Sequence, residues 1–292
     1  MPPSPAFLRT LESLNFMARR ALAQDERGER EGLRRGASVE FADYRHYAAG
    51  DELRYVDWNV YARHGELYVK EFSAEESVHA LLLLDGSASM AYGSPSKFDA
   101  ARELAAALAY IALSNFDSAG LYLFTDGVRE IKRFVQGKRS IFGLLEAIEE
   151  LRPGGRTDLA RAFQPPIPRL KGRALAFVLS DVFDLDGFGA GLLALQAQRL
   201  QVCLLHLAAR EETEPQPGGR TELVDLESGE TREVILTPAA VQAYLDRFHR
   251  HADEVERFCA AREIRYIRLR ADLPLEKKVL EILRKGGILE HR

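Results

Sequence analysis

The chain has little sulfur, and none of it is spaced for disulfides or metal clips: two cysteines, Cys203 and Cys259, among 292 residues. Cys203 falls in an apolar, strand-like run and Cys259 in a helical one, so both read as buried free thiols of a reducing compartment. No stretch approaches the ~20 apolar residues that span a bilayer, and Met1-Pro2-Pro3-Ser4-Pro5 lacks the charged-then-apolar pattern of an export signal. An excess of one charge is missing too. With 44 acidic against 40 basic residues, the net charge of −4 provides no bulk attraction for nucleic acid or anionic lipid. The expected location is the cytoplasm, with docking to a membrane complex left open. Several enzyme signatures are also absent. There is no P-loop, and Gly86-Ser87-Ala88-Ser89-Met90 is not a G-x-S-x-G elbow. An aspartyl-phosphate chemistry would want a second carboxylate where Ser87 stands. The seven histidines are scattered. His249 and His251, two apart on a helix, point in different directions and read as a solvated face, and His206 reads as a hydrogen-bonded core residue.

What the chain does contain is a set of apolar strands that end in oxygen-bearing loops. Leu81-Leu82-Leu83-Leu84 runs straight into Asp85-Gly86-Ser87-Ala88-Ser89-Met90. A continuous apolar run suits a parallel strand covered on both faces, and the glycine permits a sharp turn. Serines after a strand also make ordinary turns and helix caps, so this loop alone leaves both readings open. Two further loops add to it. Arg173 to Ser180 is strand-like and ends in Asp181, and Gly154-Gly155-Arg156-Thr157-Asp158 carries a hydroxyl into a glycine-rich loop. In open α/β sheets ligands bind beyond the carboxyl ends of the strands, where strand order reverses. Convergence of Asp85 and Asp181 there would make the two carboxylates repel, which a divalent cation relieves. Carboxylates and hydroxyls are hard donors, a set for Mg²⁺ or Mn²⁺ and not for zinc. Asp184 and Asp186 add either negative potential or an ordinary turn.

Strands and helices alternate through the rest of the chain. Ser96-Lys97-Phe98-Asp99 resembles a capping box, and Ala101, Leu104, Ala105, Leu108, Ile111 and Ala112 form one helical stripe. A hairpin turning at Asp126-Gly127 predicts one antiparallel edge strand. Helices are expected at 138–151, from Asp158 to Pro165, and at 189–198, with a strand at 200–208. Arg210 to Arg220 reads as a linker before a second hairpin, 221–226 and 231–236. A long helix from Thr237-Pro238, a strand at 264–269 and a helix at 274–285 follow. The expected division is 1–77, an N-terminal extension beginning with a helix near Pro5 to Gln24, and 78–292, an α/β domain carrying the hairpin near 221–236.

Asp85, Ser87, Ser89, Thr157 and Asp181 resemble the metal-ion-dependent adhesion site of von Willebrand factor A domains, D-x-S-x-S, then Thr, then Asp, on three loops. Arg156 beside Thr157, and Val182 where glycine often follows the Asp, depart from that pattern. The resemblance implies a Rossmann-like, mainly parallel central sheet with one antiparallel edge strand and helices on both faces. Tyr47-Ala48-Ala49-Gly50-Asp51-Glu52-Leu53-Arg54-Tyr55-Val56-Asp57-Trp58, Ala62-Arg63 and Leu67-Tyr68-Val69-Lys70-Glu71-Phe72 closely resemble the signature of the bacterial family catalogued as domain of unknown function fifty-eight. That resemblance implies a partnership with a MoxR-type AAA+ ATPase in assembly or maturation of a client. Read from the residues alone, Arg54 and Asp57 can pair on a helical face, and Trp58 and Tyr61 are apolar anchors, onto the domain or onto a partner.

The expectation is a non-enzymatic interaction module whose Mg²⁺ or Mn²⁺, held by the five residues, takes an Asp or Glu side chain from a protein partner. A metal-dependent hydrolase using the same oxygens, with Asp158 as a further carboxylate, is the alternative; a metal-free scaffold is the third.

Overall fold

The computed structural model describes residues 5–16, 39–48, 53, 56–74, 77–165, 167, 172–183 and 187–291. In chain order the elements are α1 (Pro5–Glu12), β1 (Leu14–Phe16), β2 (Val39–His46), α2 (Trp58–His64), β3 (Tyr68–Ala74), β4 (His79–Asp85), α3 (Lys97–Ser114), β5 (Ser118–Phe124) and β6 (Val128–Gln136). There follow α4 (Ile141–Glu149), α5 (Leu159–Ala162), β7 (Ala174–Ser180), α6 (Phe188–Ala197), β8 (Gln201–Ala208), α7 (Arg210–Thr213), β9 (Gly219–Val224) and β10 (Thr231–Leu236). The chain closes with α8 (Pro238–Ala260), β11 (Arg265–Arg270), α9 (Leu275–Gly286) and β12 (Leu289–His291).

Six strands form the central sheet in the order β11-β8-β7-β4-β5-β6, with only β5–β6 antiparallel. This is the mainly parallel sheet with one antiparallel edge strand that the sequence predicts. Strand order reverses between β4 and β7, so the loops after Asp85 and after Ser180 leave the sheet side by side. The leucine run of β4 is buried because its alternate residues enter two cores. Leu82 and Leu84 pack with α1, α3, α4 and α9 on one face, and Leu81 and Leu83 with α5, α6 and α8 on the other. Ser96 caps α3 by accepting from the Asp99 backbone N–H at 3.0 Å, and Thr237 caps α8 with Pro238 in its first turn.

Two compact units are present, Met1–Ala21 with Val78–Arg292, and Leu22–Ser77. The expected division at residue 77 therefore does not describe the N-terminus. The helix predicted over Pro5 to Gln24 stops at Glu12, and β1 follows it; residues 17–24 lie outside the described residues. Leu14 and Phe16 alternate with Asn15, a strand period, and they enter the core while β1 pairs antiparallel with β12, a strand not read from the sequence. Asn115 Nδ2 donates to the Leu14 carbonyl at 2.5 Å, and Glu12 accepts from Tyr110 and Lys138.

In the smaller unit β2 and β3 pair antiparallel with an irregularity at Phe41/Asp43, and α2 lies between them in sequence. Asp57 is the N-cap of α2, accepting from Asn59 N at 2.9 Å and from the Tyr44 hydroxyl at 2.8 Å. It therefore precedes the helix, where a pairing with Arg54 on one helical face was expected; Arg54 itself is outside the described residues. Trp58 and Tyr61 meet edge to face and are 56% and 45% exposed.

Candidate metal centre

Asp85 ends β4 at the switch point, fully buried, and its carboxylate collects donors from all three predicted loops. Oδ1 accepts from Ser87 N at 2.9 Å and from the Thr157 hydroxyl at 3.0 Å; Oδ2 accepts from the Ser180 hydroxyl at 2.6 Å. Ser87 Oγ and Ser89 Oγ are 3.0 Å apart. Main-chain bonds hold the loops in register: Ala88 N to Gly155 O at 3.0 Å, Gly154 N to Gly86 O at 2.6 Å. Gly86 is required for space and not for an unusual φ, since a β-carbon there would lie 2.9 Å from Leu123 Cγ.

Asp181 follows β7 and is 3% exposed. The two carboxylates do converge, with a consequence for Asp85: burial first, and then the Asp181 charge, push its pKa up to about 6. Asp181 is balanced by a residue that sequence reasoning did not place in the site. Lys97, with no exposed surface, donates from Nζ to Asp181 Oδ2 at 2.8 Å and to Glu212 Oε1 at 2.5 Å. Its ammonium also lies 4.6 Å from the centre of the Phe183 ring. Glu212 belongs to α7, in the stretch expected to be a linker, and its Oε2 accepts from Ala209 N at 2.7 Å. Composition hid this short helix. A signal for Lys97 exists in its position: a cation at the first turn of a helix opposes the macrodipole, so an intact helix start with lysine there implies a carboxylate close by.

The remaining expectations sort clearly. Arg156 is exposed and directs Nε toward the Glu227 carbonyl at 3.4 Å, and its charge acts on the Asp225 and Glu227 carboxylates. Val182 adopts φ +54, a left-handed conformation rare for a β-branched residue; Val182 N donates to Ser180 Oγ at 2.9 Å, and its carbonyl is 2.9 Å from His251 Nε2. His251 is therefore half-buried against this loop, which corrects its assignment to a solvated face. His206 is a core residue as expected, with Nδ1 2.7 Å from the Tyr266 hydroxyl; burial depresses its pKa to about 3. Asp158 caps α5, accepting from Arg161 N at 2.8 Å. Asp184 and Asp186 lie outside the described residues. Cys203 and Cys259 are buried free thiols.

A cavity of about 660 Å³ opens onto this cluster, lined by Ser89, Thr157, Asp181, Lys97 and Glu212 and by hairpin residues Val224 to Glu227. Among the described residues no group of three or more His, Cys, Asp and Glu is arranged to hold a metal, so the donor set turns on hydroxyls. It fits a hard divalent cation. The Ser87 and Ser89 hydroxyls, hydrogen-bonded to each other at 3.0 Å, are hard oxygen donors of the kind such a cation takes. The carboxylates behind them carry the charge, three of them (Asp85, Asp181, Glu212) against the one ammonium of Lys97.

No helix among the described residues is long and apolar enough to cross a membrane. The chain is 26% identical to the uncharacterized protein Rv1480 of Mycobacterium tuberculosis over 299 aligned positions, covering all of this chain and 93% of that protein. An uncharacterized protein of Mycobacterium bovis, Mb1516, matches equally. Among solved structures it is similar to the conserved hypothetical protein BatB of Bacteroides thetaiotaomicron, with 18% identity, 72% of this chain and 99% of that chain covered, and a TM-score of 0.44. A von Willebrand factor type A structure from Catenulispora acidiphila covers 49% of this chain and 36% of its own, with 18% identity and a TM-score of 0.35. The family model described as protein of unknown function DUF58 matches residues 43–255, most of the chain, and the protein belongs to that family.

Proposed function

We propose that this protein is an interaction module that binds an acidic side chain of a protein partner through Mg²⁺ or Mn²⁺. The observation that carries the reading is the charge of the buried cluster. Three carboxylates face one ammonium at the carboxyl edge of the sheet, so two negative charges are uncompensated when all are ionised. Isolated buried charges are costly, and a doubly charged cation balances this pair. Ser87, Ser89 and Thr157 would supply neutral oxygens, while Asp85 stands behind and orients them by accepting from Ser87 N and the Thr157 hydroxyl, and Asp181 adds its charge beside it. A cation held mainly by neutral oxygens keeps its appetite for an anionic ligand, which is the chemistry it would supply here. Lys97 fixes the Asp181 carboxylate by donating to its Oδ2.

The resemblance to the domain-fifty-eight signature extends the reading to an adaptor in the cytoplasm, working with a MoxR-type AAA+ ATPase on a client protein. A metal-dependent hydrolase would need a base on a bound water. His206 and His251 are committed to Tyr266 and to the Val182 carbonyl, and Asp158 to its helix.

Calorimetric titration of Mg²⁺ and Mn²⁺ into chelator-stripped protein tests the reading. Binding heat in the wild type that is lost in Asp85→Asn and in the double variant Ser87→Ala/Ser89→Ala, all folded by circular dichroism, is the expected result. Equal heats in all three would overturn it, and turnover in a phosphoesterase substrate screen would favour the hydrolase.

A further inference from the structure

Among the described residues the hairpin β9–β10 is a two-stranded ribbon paired only with itself, and its tip, Val224 to Glu227, lines the cavity. An isolated ribbon of two strands is marginally stable in water, so its placement depends on what its tip touches. The tip is internally braced. Asp225 Oδ1 accepts from Glu227 N and Ser228 N, both at 2.8 Å, and Gly229 takes φ +73 to close the turn. Asp225 is thereby committed to the turn, and those backbone donors hold its carboxyl below the usual range.

Glu227 is placed differently. Its main-chain carbonyl receives the Arg156 guanidinium at 3.4 Å, and its side chain lines the cavity with Ser89, Thr157 and Asp181. Its carboxylate accepts from the Thr157 backbone N–H, with the Asp181 carboxylate and the Arg156 guanidinium as charged neighbours. A carboxylate is thus held within the field of another carboxylate, beside hydroxyls that are themselves neutral. The apolar residues flanking it, Leu223, Val224 and Leu226, are about half exposed.

We propose that Glu227 is the chain's own carboxylate ligand for the cation at Ser87, Ser89 and Thr157, so that β9–β10 is a strap which an incoming acidic side chain displaces. The inference rests on the metal reading above. It assigns Glu227 the coordination position that the partner takes, and the strap sets the threshold a partner must exceed.

The test uses the full chain, stripped of metal, with Mn²⁺ as the probe, water-proton relaxation as the readout of waters bound to the ion, and acetate as a free carboxylate. In Glu227→Ala, Mn²⁺ affinity falls about tenfold and relaxation per bound ion rises, as water takes the vacated position. Acetate then lowers that relaxation in Glu227→Ala and leaves the wild type unchanged. Glu227→Gln, which keeps the shape of the side chain, serves if the alanine variant loses its fold, with weaker binding again expected. Affinity and relaxation equal to wild type in a folded Glu227 variant, with Asp85→Asn still abolishing binding, would overturn the strap and leave the metal reading intact. Wild type and Asp85→Asn indistinguishable in Mn²⁺ binding would remove both.

Discussion

Two lysines of this protein are buried almost without trace of solvent, and they are buried for different ends. Lys278 on α9 sends its ammonium to Glu103 Oε2 at 2.9 Å and to the Ala271 carbonyl at 3.3 Å, and the Glu103 side chain is 53% exposed. Its stem fills the core while its charge finds a partner that water still reaches. Lys97 has no such exit. Both of its carboxylate partners are buried, Asp181 in the loop after β7 and Glu212 on α7 just after β8, and Asp181 is beside Asp85. Burial of a charge alone therefore says little about function. A closed set of charges at the strand-order reversal, with more acids than bases, is the informative case.

That contrast can be broken by substitution. Lys97→Met should have the largest effect, since it leaves Asp181 and Glu212 buried without a cation; a loss of about 3–5 kcal/mol in denaturant unfolding is expected. Mg²⁺ should raise the melting temperature of this variant more than that of the wild type, and no difference would separate Lys97 from the metal reading.

Asp85 gives the next effect, through pH. Its folded-state pKa is raised from 3.8 to about 6, so its contribution to stability is full below pH 3.8 and is lost as pH rises through 6. The difference is about 3 kcal/mol in the metal-free protein. Asp85→Asn should lack that loss, seen as a wild-type-minus-variant stability difference that falls between pH 4 and 6 in the metal-free protein (window from the same shift, about two pH units); saturating Mg²⁺, which binds the wild type and not the variant, moves that difference back in favour of the wild type. The His206 contribution runs the other way, lost as pH falls from 6.5 toward about 3, and it cancels in that difference because both proteins share it.

Glu212→Gln keeps one of the two partners of Lys97 and should cost about 1–3 kcal/mol by the same unfolding measurement. Lys278→Met completes the comparison with the smallest change, within about 1 kcal/mol, because Glu103 remains hydrated and the methionine refills the core. A loss as large as that of Lys97→Met would erase the distinction between the two lysines.

Much of this could be read before any fold was known. Asp85, Ser87, Ser89, Thr157 and Asp181 are legible because each stands just past an apolar strand or in a glycine-rich loop, and a parallel sheet delivers all such loops to one edge. The β5–β6 hairpin is legible from its turn and its alternation. Lys97 and Glu212 are harder, 115 residues apart in sequence and joined only because α3 and α7 both begin beside the strand ends. Glu212 carries no motif, and its surroundings have the composition of a linker. The two hairpins look alike in sequence, yet β6 is the edge of the central sheet and β9–β10 pairs with no other strand among the described residues.

By itself, then, the sequence determined the alternation of strands and helices, the two-faced burial of β4 and the oxygen chemistry of the loops, because these depend on periodicity and on residues local to each strand end. Tertiary structure alone decided which charges meet, that Leu14–Phe16 leaves α1 to pair with Leu289–His291, and that Glu227 lines the same cavity as Ser89, Thr157 and Asp181. Those outcomes join segments far apart in the chain, and the free energy of closing such contacts resides in the packing that surrounds them and in no local pattern.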